Sequence, residues 1–138
     1  MVHAFGAGES AAPPHPQVWH RDGPSLFDNN VYHTRQPTHC LNVFVPLTDV
    51  SASNGSTEFV PTTHHDDNFA ALAPNVIKTA ESNDFEVADG VLKPELKAGG
   101  FLMFDIRTMH RGGANQTTER RDVLYLTFAF DFWVDPFM

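Results

Sequence analysis

The sequence predicts an all-β domain, a sandwich or barrel of roughly seven or eight short strands, on three observations. Apolar and β-branched runs of about four to eight residues recur along the chain. Turn words such as Asn54-Gly55, Asp89-Gly90 and Ala98-Gly99-Gly100 separate them. Hardly any stretch keeps the 3.6-residue period of a helix. At 138 residues the whole chain, 1–138, reads as one domain that is long enough to bury a core.

Residues 1–16 form an extended lead-in, because Pro13, Pro14 and Pro16 disfavour helix, and part of it reads as an edge strand. Gln17–His20 reads as a strand that opens into a loop at Gly23-Pro24. Residues 25–39 keep no clean period and read as a lid-like loop. Cys40–Leu47 is apolar except at Asn42, the pattern of a central strand buried on both faces, so Asn42 needs buried partners. Asn54-Gly55 then turns the chain into Thr57–Val60, a hairpin with the preceding strand that Pro61 ends. Asp66, Asp67 or Asn68 is placed to cap a short helix over 69–72, closed by Pro74. Residues 85–88 and 91–96 flank Asp89-Gly90 as a second hairpin. Phe101–Phe104 follows as a buried strand, Gly112-Gly113 as a turn, and Val123–Phe130 as a long last strand of high β-propensity.

The formal charge of −8 and a pI near 5.3 argue against a nucleic-acid or anionic-membrane surface, which needs a basic patch. No apolar run approaches the ~20 residues of a membrane helix. Residues 1–14 lack the basic and apolar regions of a secretory signal, so the expected location is cytoplasmic. Cys40 is the single cysteine; it excludes an internal disulfide and reads as a small buried hydrophobe.

The chemistry centres on Trp19-His20-Arg21-Asp22-Gly23. In an extended backbone residues i and i+2 share a face, so His20 and Asp22 can ligate one ion while Arg21 points away. The best third ligand is His110, which follows another apolar run. Two histidines and a carboxylate suit non-haem Fe(II) and leave open coordination positions. His64-His65-Asp66-Asp67 is the weaker metal candidate, because adjacent side chains diverge and its acids are better used as a helix cap.

Gln17-Val18-Trp19-His20-Arg21-Asp22-Gly23, Leu41 through Val50, Asn54-Gly55-Ser56-Thr57-Glu58-Phe59-Val60-Pro61 and His110-Arg111-Gly112-Gly113-Ala114-Asn115 resemble, in that order, the phytanoyl-CoA dioxygenase family of Fe(II)- and 2-oxoglutarate-dependent oxygenases. The resemblance runs from about Gln17 to Phe130. It implies a double-stranded β-helix (jelly-roll) fold, with iron held by His20, Asp22 and His110. It also implies 2-oxoglutarate as co-substrate, its distal carboxylate on Arg121, with Arg120 as the rival on the opposite face of the strand. Gln17 matches a glutamine that contacts 2-oxoglutarate; Thr57 and Asn42 are polar residues on inward-capable strands that read equally as helpers of the co-substrate or as buried hydrogen-bond fillers. Where the family often carries a hydroxyl residue two positions after the distal histidine, this chain has Gly112, so Thr57 or Thr127 is expected to support the arginine instead.

The reaction implied is hydroxylation of a small-molecule C–H bond by O2, with release of succinate and carbon dioxide; Asp22 leaves no vacancy for chloride and argues against halogenation. Relatives usually carry a substantial N-terminal region that this chain largely lacks, so it reads either as a minimal domain that covers its exposed sheet by self-association in a homo-oligomer or as a truncated fragment. The competing reading keeps the fold as a cupin-like metal-binding or degenerate, non-catalytic module; Arg121 discriminates, since a closed structural site needs no carboxylate clamp.

Overall fold

Alternation along Cys40–Pro46 sets the frame of the molecule. Cys40, Asn42, Phe44 and Pro46 are buried, while Leu41, Val43 and Val45 are half-buried, so one face of this strand looks into the core. The computed structural model describes residues 2–5, 15–24, 26, 36–65 and 90–133. Six strands lie among them: β1 (Val2–Phe5), β2 (Cys40–Pro46), β3 (Thr57–Phe59), β4 (Leu102–Asp105), β5 (His110–Gly112) and β6 (Val123–Ala129). A short 3₁₀ turn covers Thr63–His65. They form a four-stranded sheet in the order β1-β6-β2-β4 and a two-stranded sheet of β3 and β5, with every pairing antiparallel. This is the jelly-roll, or double-stranded β-helix, architecture.

The core lies between the sheets. Phe44 and Phe104 of the large sheet and Phe59 of the small one form its buried cluster, with Leu102, Val123 and Tyr125 packed against it. Phe104 meets both Phe44 and Phe59 with ring centroids 4.9 Å apart, at 88° and 66°. Such edge-to-face pairs contribute about 0.5–1.5 kcal/mol each beyond the area they bury.

Several expectations need correction. β2 is central, flanked by β6 and β4, but it is not buried on both faces, because the small sheet packs on its inner side only. Thr57–Phe59 does not form a hairpin with β2. Both hydrogen-bonding edges of β2 are taken by β4 and β6, so the chain crosses at Asn54-Gly55 to the other sheet, where β3 pairs with β5. Gln17–His20 is not a regular strand. Gln17 N donates to Gly112 O while His20 and His110 exchange both backbone hydrogen bonds, so three steps on one side oppose two on the other, as in a bulge. The turn of this region falls at Ile106–Thr108, closed by Thr108 N donating to Asp105 O, and not at Gly112-Gly113, where Gly112 ends β5 and Gly113 N donates to Ser56 O. Residues 91–96 contribute two isolated bridges, Leu92 to Phe59 and Leu96 to Val50, in place of a strand. β1 falls within the lead-in and is an edge strand. The expected helix over 69–72, the first arm of the second hairpin and most of the lid-like loop lie outside the described residues.

Candidate metal centre and co-substrate cavity

Three separate pieces of chain deliver the ligand atoms. His20 sits in the bulged segment stitched to β5, and Asp22 follows it with its N–H donating to the Ile106 carbonyl at 2.9 Å. At Gly23 a Cβ atom would lie 2.3 Å from Ile106 Cδ1, and Ile106 is itself buried, so glycine lets the ligand segment press onto the Ile106 turn. Arg21 points away and donates to the Thr63 carbonyl at 2.7 Å. His110, at the start of β5, is 2% exposed. Its ring stacks on Phe59 (5.7 Å, 21°) and meets the edge of Phe104 (4.8 Å, 62°), so the aromatic core fixes its plane.

One ligand atom from each of His20, Asp22 and His110 lies within 4.8 Å of the others. Each histidine donates Nδ1–H to the carbonyl two residues earlier, His20 to Val18 at 2.8 Å and His110 to Thr108 at 2.9 Å. A carbonyl only accepts, so both rings are fixed in the tautomer whose Nε2 lone pair faces the site. Burial lowers the His110 pKa, which keeps that lone pair free of a proton. His110 Nε2 has no hydrogen-bond partner although it is buried, and Asp22 stands 3.4 Å from it and 3.6 Å from His20 Nε2. Those separations are long for hydrogen bonds and comparable with the ~3 Å edge between ligands at ~2.1 Å from one ion. An orphaned buried nitrogen, a carboxylate and a second imidazole around one point fit a divalent iron ion.

Asp22 is held from behind. Asn42 Nδ2 donates to Asp22 Oδ2 at 2.5 Å, the Tyr125 hydroxyl donates to the same oxygen at 3.2 Å, and Thr127 Oγ1 donates to Asn42 Oδ1 at 2.7 Å. Asn42 therefore faces Asp22 as a buried hydrogen-bonding residue and is not among the described residues that line the cavity. Tyr125 was not singled out in the sequence, although its place two residues from Val123 on the last strand puts it on the inward face.

A cavity of about 270 Å³ opens from the metal site and is lined by Gln17, His20, Thr57, His110, Arg121 and Tyr125, among others. Arg121, Val123, Tyr125 and Thr127 share a face by the two-residue period, which turns Arg121 inward; Arg120 pairs with Asp122 at 3.1 Å on the outside. Arg121 is largely buried, and burial lowers its pKa, yet its only described hydrogen bond is from Nη1 to the Gly55 carbonyl. Gly55 supports Arg121, in place of the expected Thr57 or Thr127. A side chain at 55 is excluded, since φ is +91° and a Cβ would meet Gly113 O at 2.6 Å. Thr57 lines the cavity. Gln17 Oε1 accepts from Gly112 N–H at 2.8 Å, which leaves its Nε2 as a donor beside the cavity. A Cβ at 112 would meet the same Oε1 at 2.8 Å, so the Gln17 side chain occupies the place that a hydroxyl residue at 112 would need.

Fold and site together define a jelly-roll protein with a candidate metal centre of the two-histidine, one-carboxylate class. The profile of the phytanoyl-CoA dioxygenase family matches residues 1–123, and the chain belongs to that family. Among curated relatives, the dioxygenase FUM3 of Gibberella moniliformis is 27% identical over 117 residues, 85% of this chain and 34% of the relative. The dioxygenase hkm4 of Aspergillus hancockii is 30% identical over 105 residues, 75% of this chain and 29% of the relative. The chain thus spans about a third of the length of the curated relatives it matches. Among solved structures, AviO1 from Streptomyces viridochromogenes Tue57 has the same fold with a TM-score of 0.66 at 19% identity, over 98% of this chain and 54% of its own. The non-haem α-ketoglutarate-dependent epimerase SnoN from nogalamycin biosynthesis gives a TM-score of 0.58 at 21% identity, over 93% and 47%.

Proposed function

We propose that this chain is the catalytic domain, spanning 1–138, of an Fe(II)- and 2-oxoglutarate-dependent dioxygenase that hydroxylates a C–H bond of a small molecule. The observation that carries the reading is the inward Arg121, which has no carboxylate partner among the described residues and lies in the same cavity as His20 and His110. A buried guanidinium without a counter-ion is costly, and a dicarboxylate reaching from the metal to Arg121 neutralises it. Family membership and the dioxygenase relatives support the same assignment. One structural neighbour, SnoN, has been solved with Fe3+, α-ketoglutarate and nogalamycin RO.

In this reading His20, Asp22 and His110 hold the iron and Arg121 holds the distal carboxylate of 2-oxoglutarate. Gln17 Nε2 and Thr57 supply further polar contacts to the co-substrate. When bound, iron and co-substrate supply the oxidising chemistry that uses O2 and releases succinate and carbon dioxide. The chain's own work is to orient the imidazoles through their Nδ1–H bonds, to fix Asp22 and to keep the aromatic wall of the site dry.

Two finer assignments belong to the same proposal. The chain functions in the cytoplasm as a soluble enzyme without nucleic-acid or membrane partners, in keeping with the −8 charge and a single cysteine, Cys40; no described helix is long and apolar enough to cross a membrane. It self-associates through the outer face of the large sheet and its margins, where Phe101, Met103, Phe128, Phe130 and Phe132 are exposed. Light scattering is expected to give a multiple of 15.3 kDa, and a monomer mass at micromolar concentration removes that assignment.

The test of the activity is anaerobic titration of Fe(II) and then 2-oxoglutarate, watching for the visible charge-transfer band of the chelate, followed by admission of O2 and measurement of succinate. No band and no succinate above the metal-free control overturn the reading.

A further inference from the structure

Asp22 offers a metal two oxygens, and the structure treats them differently. Oδ2 accepts from Asn42 Nδ2 and from the Tyr125 hydroxyl, which fills both of its lone-pair directions. Among the described residues, no hydrogen bond reaches Oδ1, which stands 3.6 Å from His20 Nε2; Oδ2 stands 3.4 Å from His110 Nε2, so both oxygens border the site and only the hydrogen bonds distinguish them. We propose that Asn42, Thr127 and Tyr125 form a clamp that restricts Asp22 to a single metal-binding oxygen, Oδ1, and so preserves the third open coordination position. The inference deepens the dioxygenase reading and rests on it.

The order of the donors is fixed by chemistry. A carboxylate only accepts, so the Asn42 atom that faces it must be the NH2 end, and the Thr127 hydroxyl must then donate to the amide oxygen. Thr127 thereby prevents the amide from turning over. Asn42 and Thr127 are directly paired across β2 and β6, and Asn42 is 2% exposed, so the amide has no room to swing away. Tyr125 is the second donor, its hydroxyl reaching the same oxygen at 3.2 Å, and a carboxylate leaves it no role but to donate.

The consequence is a matter of counting. Two imidazoles and one oxygen fill three positions of an octahedral ion, leaving two for a keto-acid chelate and one for O2. If Oδ2 is released, Asp22 can bind through both oxygens and take one of the positions that the chelate needs. The clamp is thus a positioning device that acts through Asp22, and it governs co-substrate chelation more than metal retention.

The experiment uses the full chain and compares wild type with Asn42→Leu, Tyr125→Phe, Thr127→Val and Thr127→Ser. Affinity for Fe(II) alone is measured by anaerobic calorimetry, and chelation by the charge-transfer band as 2-oxoglutarate is added. For Asn42→Leu and Tyr125→Phe, Fe(II) affinity is expected to stay within about threefold while 2-oxoglutarate chelation weakens about 10- to 100-fold, the usual size of effects from partners of metal ligands. Thr127→Val, nearly isosteric and not in contact with Asp22, is expected to fall in the same direction by less, and Thr127→Ser to restore wild-type chelation. General damage to the fold lowers metal and co-substrate affinity in parallel, and that outcome, or unchanged chelation in all four variants, overturns the clamp. A wild-type chain without any chelate band overturns the dioxygenase reading, whereas a normal wild-type band with unaffected variants overturns the clamp alone.

Discussion

Arg107 and Arg121 are both arginines taken out of water, and they are treated in opposite ways. Arg107, 2% exposed, lies against Asp105, with Nε to Oδ1 at 2.9 Å and Nη2 to Oδ2 at 2.7 Å, and its own N–H also reaches Oδ1. It locks the turn that carries Ile106, and through the Ile106 carbonyl it supports Asp22. Arg121 has a backbone carbonyl and no described carboxylate. On the outer face of the small sheet the pattern of Arg107 repeats: Glu58 takes both Arg111 (2.6 Å) and Lys93 (2.6 Å). A buried charge with its partner in the chain stabilises the fold, and one without marks the place where the partner arrives as a ligand.

The comparison breaks first at Arg107. Arg107→Ala leaves the Asp105 carboxylate buried without its counter-ion, which is expected to cost about 3–5 kcal/mol and to lower the melting temperature by roughly 10–20 °C. A thermal melt checks it, and a shift of only a degree or two contradicts the structural role. Burial works to raise the Asp105 pKa, but the Arg107 hydrogen bonds, with one from Thr38, outweigh it and hold the carboxyl below its ordinary value. Its contribution is therefore fully present above about pH 4 and is lost as the pH falls through the lowered folded value. In acid titrations of stability, Arg107→Ala should lack this low-pH component.

Arg121→Ala should do the reverse, with little change or a slight gain in melting temperature. The loss falls on 2-oxoglutarate, about 2–4 kcal/mol or thirty- to a thousandfold in affinity, with Fe(II) affinity nearly unchanged. Parallel calorimetric titrations of Fe(II) and of co-substrate separate the two. Gly23→Ala sharpens the link between the two regions. The added methyl has to displace Ile106 and shift Asp22, at about 1–3 kcal/mol, and weaker Fe(II) binding should accompany the lower melting temperature. Smallest is Arg120→Ala, which removes an exposed pair with Asp122 worth about 0–1 kcal/mol and leaves 2-oxoglutarate affinity as in wild type. Equal co-substrate losses for Arg120→Ala and Arg121→Ala would contradict the register of β6.

What was legible in the sequence follows the range of the interactions. The i, i+2 placement of His20 and Asp22 depends on local backbone period and is readable from a few residues; the period also sets Arg120 and Arg121 on opposite faces, but which of them turns inward follows from the family resemblance. The role of Asn42 is not, because its partners Asp22, Tyr125 and Thr127 come from other segments, and β6 lies beside β2 only through the closure of the sheet. The misreading of Thr57–Val60 has the same origin. Asn54-Gly55 is a true turn, but strand partners are chosen by which edges remain unpaired, and a local word does not carry that information. Local period places Tyr125 on the inward face but does not give its role, and nothing local marks the Gly55 carbonyl; each acquires its meaning from a residue far away in the chain.

The stitch between the bulged segment and β5 joins residues very distant in sequence: Gln17 and Gly112 are 95 residues apart. Ring closure of that size is already near its entropic plateau, where doubling the enclosed length adds only about 0.6 kcal/mol. The chain between the first two ligands and the third is thus, in architectural terms, a free span. So long as β2, β3 and β4 keep their registers and the turns at Gly55 and Ile106–Thr108 are kept, other loops of that span can be lengthened, shortened or exchanged at small thermodynamic cost while the ligand geometry at its two ends is retained. For anyone seeking to graft a new substrate-contacting loop onto this scaffold, the insertion points lie within that span, and the metal site itself can be left untouched.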